Sequence, residues 1–453
     1  MTALDELLVA VPASVAFDPD LHARYRRDSA AWGGDGGEPW AISRPASTAE
    51  VQALARWATR HRIRLVPRGA GTGVAGGAEA SAGCVVVSFE RMTRIVEVDA
   101  DAMIAVVQPG VLNVEVKNAA REVGLWYPPD PSSFEISTIG GNVATNAGGL
   151  CCVKYGVTAN YVLGLEVVLA DGSLLRTGGR TRKDVAGYDL TRLVVGSEGT
   201  LGFITEITLR LRRPPPPTAT LVATFSSLEA SGRATAAIVR VAEPSMLELM
   251  DRAAIRAVET YRPQGLDVEA AAMLIVESDA AAGSEMARIQ QACDAAGATL
   301  VVSSDDEAEG QCLRTARRLA YPALEHLGTV LIDDVAVPLP RLPDMLRRIE
   351  AIAATQATQV ATVAHAGDGN LHPLVVFDAA DAEAQARAEA TFDVLMAEAI
   401  ALGGTITGEH GVGTLKRRFL QRQLGPVSLA LHARIRRAFD PECILNPGKV
   451  FEA

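Results

Sequence analysis

The sequence predicts an α+β protein built from two domains. At 453 residues, the chain is longer than one hydrophobic core usually supports, so a domain boundary is expected. Prolines 214–217 follow two arginines, and a proline run ends strands and helices because it removes amide donors and fixes φ. The segments before this run are short, β-branched and rich in glycine, whereas those after it alternate between strands and amphipathic helices. We therefore expect one domain over residues 1–213 and a second that begins at residue 214.

The glycine-rich first half has the pattern of a series of strands with few helices. Hydrophobic, β-branched segments predict strands at 63–67, 84–89, 95–99, 103–109, 163–171 and 201–211. One helix start is well marked, because Ser47 and Glu50 can form a capping box ahead of residues 51–61. Each side chain of that box can satisfy an amide that the first helical turn leaves unpaired.

The second half alternates strands with alanine-rich helices. Strands are predicted at 221–225, 273–278, 299–304, 329–337, 359–365 and 374–377, and helices around 228–241, 283–297, 341–355 and 380–402. This pattern indicates an α+β domain over residues 214–424. The last segment, 425–453, offers one helix and then a tail with proline and glycine turns, which we expect to return to the first domain.

Composition argues against several classes of protein. The chain has 43 Lys+Arg against 54 Asp+Glu, so it lacks the excess of basic residues that nucleic-acid binding requires. Its six cysteines form no CxxC pair, which argues against an Fe–S cluster and a disulfide framework. The N-terminal segment is acidic, unlike a signal peptide, and no stretch approaches the ~20 apolar residues of a membrane span. We expect a cytoplasmic protein, with peripheral attachment at the inner face of the membrane as the alternative.

A glycine loop lies between the first two predicted strands. Residues 66–78 read VPRGAGTGVAGGA, and residues 71–76 match the GxGxxG pattern of dinucleotide-binding Rossmann folds. That fold needs a helix after the glycines, but only AEASAG separates Gly77 from the strand at Cys84, so we reject it. A glycine-rich loop between strands still exposes backbone N–H groups that can bind a diphosphate, and a structural turn cluster is the alternative.

Two further glycine clusters follow in the same domain. Residues 130–149 read DPSSFEISTIGGNVATNAGG and lead to Lys154-Tyr155-Gly156, and residues 196–209 read GSEGTLGFITEITL. Small residues and hydroxyls in such loops let the backbone lie against a flat ligand with polar edges. Any one of them is equally well interpreted as an ordinary loop, but three in one domain favour a binding site.

These motifs, together with the terminal NPGK, resemble the flavin domain of the vanillyl-alcohol oxidase/p-cresol methylhydroxylase flavoproteins. The likeness is greatest to the FAD-linked D-2-hydroxyacid dehydrogenases, which include the glycolate oxidase catalytic subunit, D-lactate dehydrogenase and D-2-hydroxyglutarate dehydrogenase. It covers nearly the whole chain. The resemblance implies a two-subdomain FAD-binding domain followed by an α+β substrate domain with an antiparallel sheet.

The resemblance also implies which residues contact the cofactor. In the family the glycine loop binds the FAD pyrophosphate, and Asn446 would reach the isoalloxazine from the returning tail. Since the glycine loop holds neither His nor Cys, we expect non-covalent FAD, with Cys151 as the other candidate for attachment. The implied contacts are Arg68, Gly69, Ala70, Gly71, Thr72, Gly73, Pro131, Ser132, Ser133, Gly140, Gly141, Asn142, Thr145, Gly148, Gly196, Glu198, Gly199, Gly202, Ile204 and Asn446.

Histidines gather in two glycine-framed motifs of the second half. In TVAHAGDGNLHPLVV, His365 ends one predicted strand and His372 starts the next, and the Asp-Gly between them predicts a hairpin that brings the imidazoles together. Glu409 and His410 follow in GEHGVG. Two imidazoles and one carboxylate suit Zn²⁺ or a similar divalent ion such as Mn or Fe, although a single histidine is more often a hydrogen-bonded scaffold residue. The resemblance assigns His365, His372 and Glu409 as metal ligands and His410 as the catalytic base.

A carboxylate substrate calls for a guanidinium partner. The helix predicted at 314–324 offers Arg317, with Arg318 next to it and Tyr321 one turn later, and a solvated helix face is the alternative. The resemblance favours Arg317 as a catalytic and carboxylate-binding residue. We expect Tyr321 and Asn370 to be further substrate contacts.

Two adjacent acids bear on the size of the substrate. Asp333 and Asp334 lie on the predicted strand 329–337, and neighbouring strand residues point to opposite faces, so at most one enters the pocket. An acid there would repel the second carboxylate of a dicarboxylate substrate. We therefore expect a small monocarboxylate such as D-lactate or glycolate.

The resemblance and these residues imply FAD-dependent oxidation of a small D-2-hydroxy acid to the 2-oxo acid. A divalent metal would acidify the hydroxyl, His410 would take its proton, and the hydride would pass to flavin N5. The electrons would leave to a separate acceptor protein or quinone, and we expect a homodimer, with partner subunits as a further alternative. Three other interpretations stay open: a metal-independent flavin oxidase of a sugar or aldonolactone, a D-2-hydroxyglutarate dehydrogenase, and a non-catalytic subunit that retains the fold.

Overall fold

The computed structural model describes residues 3–11, 15–17, 19–30, 36–280 and 284–452, and the chain forms two compact units. The first comprises residues 1–148, 157–214 and 409–453, and the second comprises residues 149–156 and 215–408. One change of unit therefore falls within the proline run. The short segment 149–156 belongs to the second unit, and the return to the first begins at Glu409 rather than at residue 425.

The first unit opens with a small sheet in which a parallel core carries one antiparallel edge strand. Its described elements are α1 (Ala3–Ala10), β1 (Val15–Ala16), α2 (Pro19–Tyr25), β2 (Ala41–Ser43), α3 (Thr48–His61), β3 (Leu65–Arg68) and β4 (Val85–Ser88). The strand order is β1-β2-β4-β3, and only the β1–β2 pair is antiparallel. Ser47 Oγ accepts the Glu50 N–H at 3.3 Å, while the Glu50 carboxylate accepts the Ala46 N–H rather than that of Ser47.

A second sheet follows in the first unit. The chain continues through β5 (Ile95–Asp99), β6 (Ile104–Val107), α4 (Asn113–Glu122), α5 (Ile139–Thr145), α6 (Cys152–Tyr155), a 3₁₀ turn (Thr158–Asn160), β7 (Val162–Val168), β8 (Leu174–Gly178), α7 (Leu190–Val194) and β9 (Phe203–Arg210). The described strands form an antiparallel sheet in the order β5-β6-β9-β7-β8. Helices α4 and α5 bury apolar side chains in the core of this sheet, whereas α6 lies in the second unit.

The second unit is built on one large antiparallel sheet. Its elements are β10 (Ala219–Phe225), α8 (Leu228–Val241), β11 (Met246–Asp251), α9 (Arg252–Tyr261), β12 (Ala272–Ser278), α10 (Ser284–Ala295), β13 (Ala298–Ser304), α11 (Glu307–Arg318), α12 (Ala320–Glu325), β14 (Thr329–Ile332), β15 (Val335–Ala336), a 3₁₀ turn (Leu339–Arg341), α13 (Leu342–Gln356), β16 (Gln359–His365), a 3₁₀ turn (Ala366–Asp368), β17 (Asn370–Phe377) and α14 (Ala382–Ala401). The order is β13-β10-β12-β11-β16-β17-β14, and β15 also pairs with β17.

The predicted elements of this unit are present, with two additions and two splits. Strand β11 and helix α9 were not predicted. The predicted strand 329–337 divides into β14 and β15, and the helix predicted at 314–324 divides into α11 and α12. The helix predicted around 283–297 begins at Ser284 in the described residues, and position 283 lies outside them. None of the described helices combines the length and the apolar composition that a membrane-spanning helix needs.

The C-terminal segment closes the first unit. After a 3₁₀ turn (Arg417–Phe419), α15 (Leu420–Phe439) is kinked at Gly425, where φ is 72°, directly before Pro426. The tail then runs beside β3, because the Leu65 N–H donates to Ile444 O at 2.8 Å and the Asn446 N–H donates to Leu65 O at 2.7 Å. The fold is therefore α+β, as predicted, and the antiparallel sheet expected in the second domain is present; the antiparallel sheet of the first unit was not predicted.

Candidate functional site

The histidine motif forms the expected hairpin. Strands β16 and β17 pair with His365 opposite Asn370 and Val363 opposite His372, so that all four residues lie on one face of the sheet. Gly369 closes the turn with φ of 71°, a conformation that favours glycine. The two imidazole rings are edge-on with centroids 5.1 Å apart, and one ring nitrogen of each lies within 4.8 Å of the other. The prediction that the turn brings the imidazoles together is confirmed.

A buried glutamate on the neighbouring strand lies behind the first imidazole. Glu248 pairs with His365 in the β11–β16 register, so it lies on the same face, and it is fully buried. Its Oε1 lies 2.8 Å from His365 Nδ1, and its Oε2 lies 2.8 Å from Arg317 Nε. The sequence analysis missed this residue because strand β11 was not predicted. The available signal was one acid inside the apolar run SMLELMD, where burial requires a charged partner.

Arg317 is an interior residue. It lies in the last turn of α11, is 5% exposed and pairs with Glu248, so the alternative of a solvated helix face does not apply to it. Arg314, one turn earlier, pairs with Glu277 on β12. Tyr321 packs against the apolar core of this unit, and its burial, followed by a hydrogen bond to Glu325, raises its pKa. Tyr321 is therefore engaged by other residues of its own unit.

The two adjacent acids are both fully buried. They lie in the break between β14 and β15 rather than on one strand, so the expectation of opposite strand faces does not apply. The Asp334 carboxylate accepts hydrogen bonds from Asn370 Nδ2 at 2.9 Å, from Thr407 Oγ1 at 2.7 Å and from the Gly408 N–H at 3.1 Å. Its Oδ1 also lies 3.7 Å from His372 Nδ1. Each imidazole of the pair thus has a buried carboxylate on its Nδ1 side.

Glu409 and His410 directly follow Gly408 in the chain, at the point where it passes into the first unit. Within this pair, Glu409 Oε1 lies 3.7 Å from His410 Nε2. The loop after them is held by Glu198, whose carboxylate accepts the N–H groups of Val412 at 2.7 Å and Gly413 at 2.8 Å. Burial raises the pKa of Glu198, and these two hydrogen bonds oppose the shift.

The glycine loop leaves β3 and reaches β4 through turns alone, with no helix among the described residues 69–84. That absence agrees with the rejection of a Rossmann fold. Gly71 adopts φ of 75° beneath the Arg68 guanidinium, where an added Cβ would lie 2.1 Å from Nη2. At Gly73 an added Cβ would lie 3.6 Å from Asp28 Oδ2, an ordinary van der Waals distance, with no closer contact among the described residues. Such a loop lets a ligand approach the backbone closely.

The second and third glycine clusters are joined by hydrogen bonds within the first unit. Thr138 caps α5 by accepting the Gly141 N–H at 3.2 Å, and Gly196 and Glu198 donate their N–H groups to the C-terminal turn of the same helix. Asn142 is buried and bonds to Asn113 at 3.0 Å. The cofactor contacts that the resemblance assigns to these clusters stay predictions.

The hydrogen bonding of Asn446 tests whether the residues of the first unit fit a flavin. It is 1% exposed, and its Nδ2 donates to Gly77 O at 2.9 Å and to Glu198 O at 2.7 Å, so it links the glycine loop to the GSEG segment. Its Oδ1 is buried with no hydrogen-bond partner among the described residues. A buried acceptor without a donor carries an energetic cost, and a polar-edged ligand such as a flavin can supply the donor. The residues therefore fit FAD.

The hairpin site fits a divalent metal on the chemistry of its donors. A metal-ligating imidazole commonly gives its other ring N–H to a carboxylate, which orients the ring. The Glu248 carboxylate is within hydrogen-bond distance of His365 Nδ1, and the Asp334 carboxylate lies on the Nδ1 side of His372. The arrangement leaves Nε2 of both rings as the nitrogens suited to a metal ion.

Comparisons with known proteins identify the family. A family model described as FAD linked oxidases, C-terminal domain, matches residues 214–450, and one described as FAD binding domain matches residues 39–178. The glycolate oxidase subunit GlcD of Bacillus subtilis is 42% identical over 418 residues, which is 91% of this chain and 89% of that protein. The D-lactate dehydrogenase of Archaeoglobus fulgidus is 36% identical over 418 residues, or 91% of each chain.

Solved structures agree on the fold. The crystal structure of p-cresol methylhydroxylase with substrate bound has a TM-score of 0.84 at 17% identity, over 99% of this chain and 96% of that one. A 4-ethylphenol oxidase from Gulosibacter chungangensis has a TM-score of 0.79 at 18% identity, over 99% and 96%. The chain therefore belongs to the FAD-linked oxidases, is an oxidoreductase, and has the FAD-binding fold of the vanillyl-alcohol oxidase and p-cresol methylhydroxylase flavoproteins.

Proposed function

We propose that this protein oxidises a small D-2-hydroxy acid, such as D-lactate or glycolate, to the 2-oxo acid and passes the electrons to a separate acceptor protein or quinone. Support comes from the glycolate oxidase subunit and D-lactate dehydrogenases that the chain matches over most of their length. It also comes from the FAD-binding domain match and from the polar residues of the second unit.

The observation that carries the proposal is the imidazole pair backed by carboxylates. His365 and His372 lie 5.1 Å apart, and Glu248 and Asp334 lie on their Nδ1 sides at 2.8 Å and 3.7 Å. With Glu409 as the carboxylate ligand, the set has the N,N,O composition that suits Zn²⁺, with Mn²⁺ and Fe²⁺ as further candidates. A flavin oxidase that needs no metal has no use for this arrangement.

The remaining residues have roles set by their chemistry. His410 accepts the hydroxyl proton, because a neutral imidazole is a good base near neutral pH. Arg317 binds the substrate carboxylate, since guanidinium and carboxylate form paired hydrogen bonds. One buried acid of the pair Asp333 and Asp334 disfavours a second carboxylate on the substrate by like-charge repulsion. When bound, FAD accepts the hydride from the α-carbon, and the metal makes the hydroxyl more acidic.

Anaerobic reduction of the purified flavoprotein tests the proposal. D-lactate, L-lactate, glycolate and D-2-hydroxyglutarate are added separately, before and after chelation and after return of Zn²⁺ or Mn²⁺, while the flavin absorbance is followed. We expect D-lactate or glycolate to bleach the flavin, chelation to abolish the bleaching and metal to restore it. Faster reduction by D-2-hydroxyglutarate would correct the substrate, and reduction that chelators leave unchanged would favour a metal-independent oxidase.

A variant of the proposed base provides the second arm. We expect His410→Gln to slow flavin reduction about 10²- to 10⁴-fold while the flavin stays bound, because only proton transfer is lost. His432→Gln is the matched control, since His432 has no proposed role: its ring hydrogen-bonds to Ser428 within α15 and packs against Phe451. Equal rates in His410→Gln and wild type would contradict the assignment of His410. A flavin that no hydroxy acid reduces in the wild type would contradict the reaction itself.

A further inference from the structure

Glu248 is a fully buried charge that the proposed reaction does not itself use. It lies on β11, between β12 and β16 in the sheet, and it contacts two residues with proposed roles. One carboxylate oxygen lies 2.8 Å from His365 Nδ1 and the other lies 2.8 Å from Arg317 Nε. Such a residue affects both the ring that would hold a metal and the cation that would hold a substrate.

The contact with His365 fixes where the imidazole proton sits. An ionised carboxylate can only accept hydrogen bonds, so Nδ1 must carry the hydrogen that joins it to Glu248 Oε1. A neutral imidazole carries one ring hydrogen, and Nε2 is then left with its lone pair. Only a nitrogen with a free lone pair can bind a metal ion, so Glu248 selects Nε2 as the ligand atom.

The contact with Arg317 fixes the charge of the cluster. Burying a carboxylate without a partner is costly, and the guanidinium at 2.8 Å supplies the opposite charge. His365 therefore only has to donate a hydrogen bond, and a neutral ring is the form that a metal requires.

We propose that Glu248 is a positioning residue that fixes the Nδ1–H tautomer of His365, so that Nε2 faces a divalent metal ion. The inference deepens the proposed function, because it assigns the residue that prepares the metal ligand. It also makes a prediction about the protein without any metal, since the hydrogen on Nδ1 follows from its contact with the Glu248 carboxylate.

A glutamine at this position would reverse the hydrogen-bond pattern. Arg317 only donates, so the amide oxygen of Glu248→Gln would turn towards the guanidinium and its NH₂ towards His365. Nδ1 would then have to accept, and the ring hydrogen would move to Nε2. The substitution replaces one carboxylate oxygen with an NH₂ group of similar size. Its effect on metal binding therefore reports on the direction of the hydrogen bond.

The chain offers a matched control in Glu277→Gln. Glu277 lies on β12, next to β11 in the sheet, and pairs with Arg314, which lies one turn before Arg317 in α11. Glu277 is 5% exposed, so this variant also neutralises a buried acid that pairs with an arginine of the same helix. A loss caused only by weakening the packing of α11 against the sheet would be seen in both variants.

The first measurement is binding of Zn²⁺ alone to the FAD-loaded protein, by competition with a chelator of known affinity. We expect Glu248→Gln to weaken Zn²⁺ binding about 10- to 100-fold, the range found when a partner of a ligating histidine is lost. We expect Glu277→Gln to leave the Zn²⁺ affinity unchanged within about twofold, because Glu277 is not a partner of a proposed metal ligand. Equal losses in the two variants would overturn the proposal.

The second measurement needs no variant and no metal. Nitrogen-15 NMR of histidine-labelled, metal-free wild-type protein distinguishes a ring nitrogen that carries hydrogen from one that does not, and His365→Gln identifies the signal. We expect His365 to carry its hydrogen on Nδ1, and the opposite tautomer would overturn the proposal. A wild-type protein that shows this tautomer but binds no divalent ion would contradict the metal-assisted reaction instead, which separates the two failures.

Discussion

Two buried glutamates show how differently the two units build a site. In the first unit, both carboxylate oxygens of Glu198 accept backbone N–H groups, at 2.7 Å and 2.8 Å. In the second unit, the carboxylate of Glu248 contacts the side chains of Arg317 and His365, both at 2.8 Å. The first arrangement orders a loop, whereas the second sets charge and proton position. The same residue type therefore holds backbone in one unit and charged side chains in the other.

The glycines around Glu198 extend that contrast. An added Cβ at Gly411 would come within 2.9 Å of the Glu198 carboxylate, and one at Gly413 would come within 1.9 Å of Ala75 O. The packing around Glu198 thus requires glycine at positions 411 and 413, where a side chain would not fit. The hairpin site depends on side chains that are charged, so the two regions should respond to different substitutions.

The largest effect is expected from breaking the buried ion pair of the second unit. Arg317→Met leaves the Glu248 carboxylate buried without the guanidinium that balances its charge, so we expect the free energy of unfolding to fall by about 3–5 kcal/mol. Arg314→Met is the comparison: it breaks the pair with Glu277, whose two side chains are more exposed than those of Arg317 and Glu248, so we expect a smaller loss. Urea unfolding followed by circular dichroism measures the free energy of unfolding of both variants. Similar losses in both would show that the Arg317–Glu248 pair contributes no more to stability than the Arg314–Glu277 pair.

Asp251 sharpens the comparison, because this second-unit acid is held by backbone amides as Glu198 is. Burial raises the pKa of Asp251 to about 7, although hydrogen bonds from the amides of Ala254 and Thr362 oppose the shift. The folded state therefore holds a proton that the unfolded state releases near pH ~4, so stability should fall between about pH 4 and about pH 7.

The variant Asp251→Asn keeps an acceptor oxygen for the Ala254 N–H and removes the ionisation. We expect it to flatten the pH dependence of stability over this window by about 2–4 kcal/mol. Thermal unfolding at several pH values measures the slope. An unchanged slope would mean that Asp251 is already ionised at low pH in the folded protein.

The smallest of the three effects is expected at Gly199, in the third glycine cluster of the first unit. Gly199 has φ of 71°, and an added Cβ would lie 2.2 Å from the rigid ring of Pro67. Gly199→Ala should therefore cost about 1–3 kcal/mol and weaken FAD binding, measured by titration of the apoprotein with FAD. At Gly179 an added Cβ meets nothing within 4 Å, so Gly179→Ala is the control. Retention of wild-type affinity in Gly199→Ala would show that the loop can relax.

Local signals in the sequence were sufficient for elements whose cause is local. The hairpin that joins β16 and β17 follows from its Asp-Gly turn, and α3 follows from its Ser47 cap. The proline run marks a change of unit for the same reason, since proline removes donors wherever it stands. Strand β11 was missed because its residues are buried on both faces, which removes the alternation that marks a strand.

The sequence by itself determined the fold class, the family through its glycine motifs, and the close approach of the His365 and His372 rings, because turn chemistry and local spacing act over a few residues. Only the tertiary structure decided that Glu248 lies behind His365, that Arg317 is buried against the same carboxylate, and that Asp334 lies near His372. Those contacts join residues far apart in the chain through sheet register and helix packing. Register and packing are set by the whole core, which no local pattern contains.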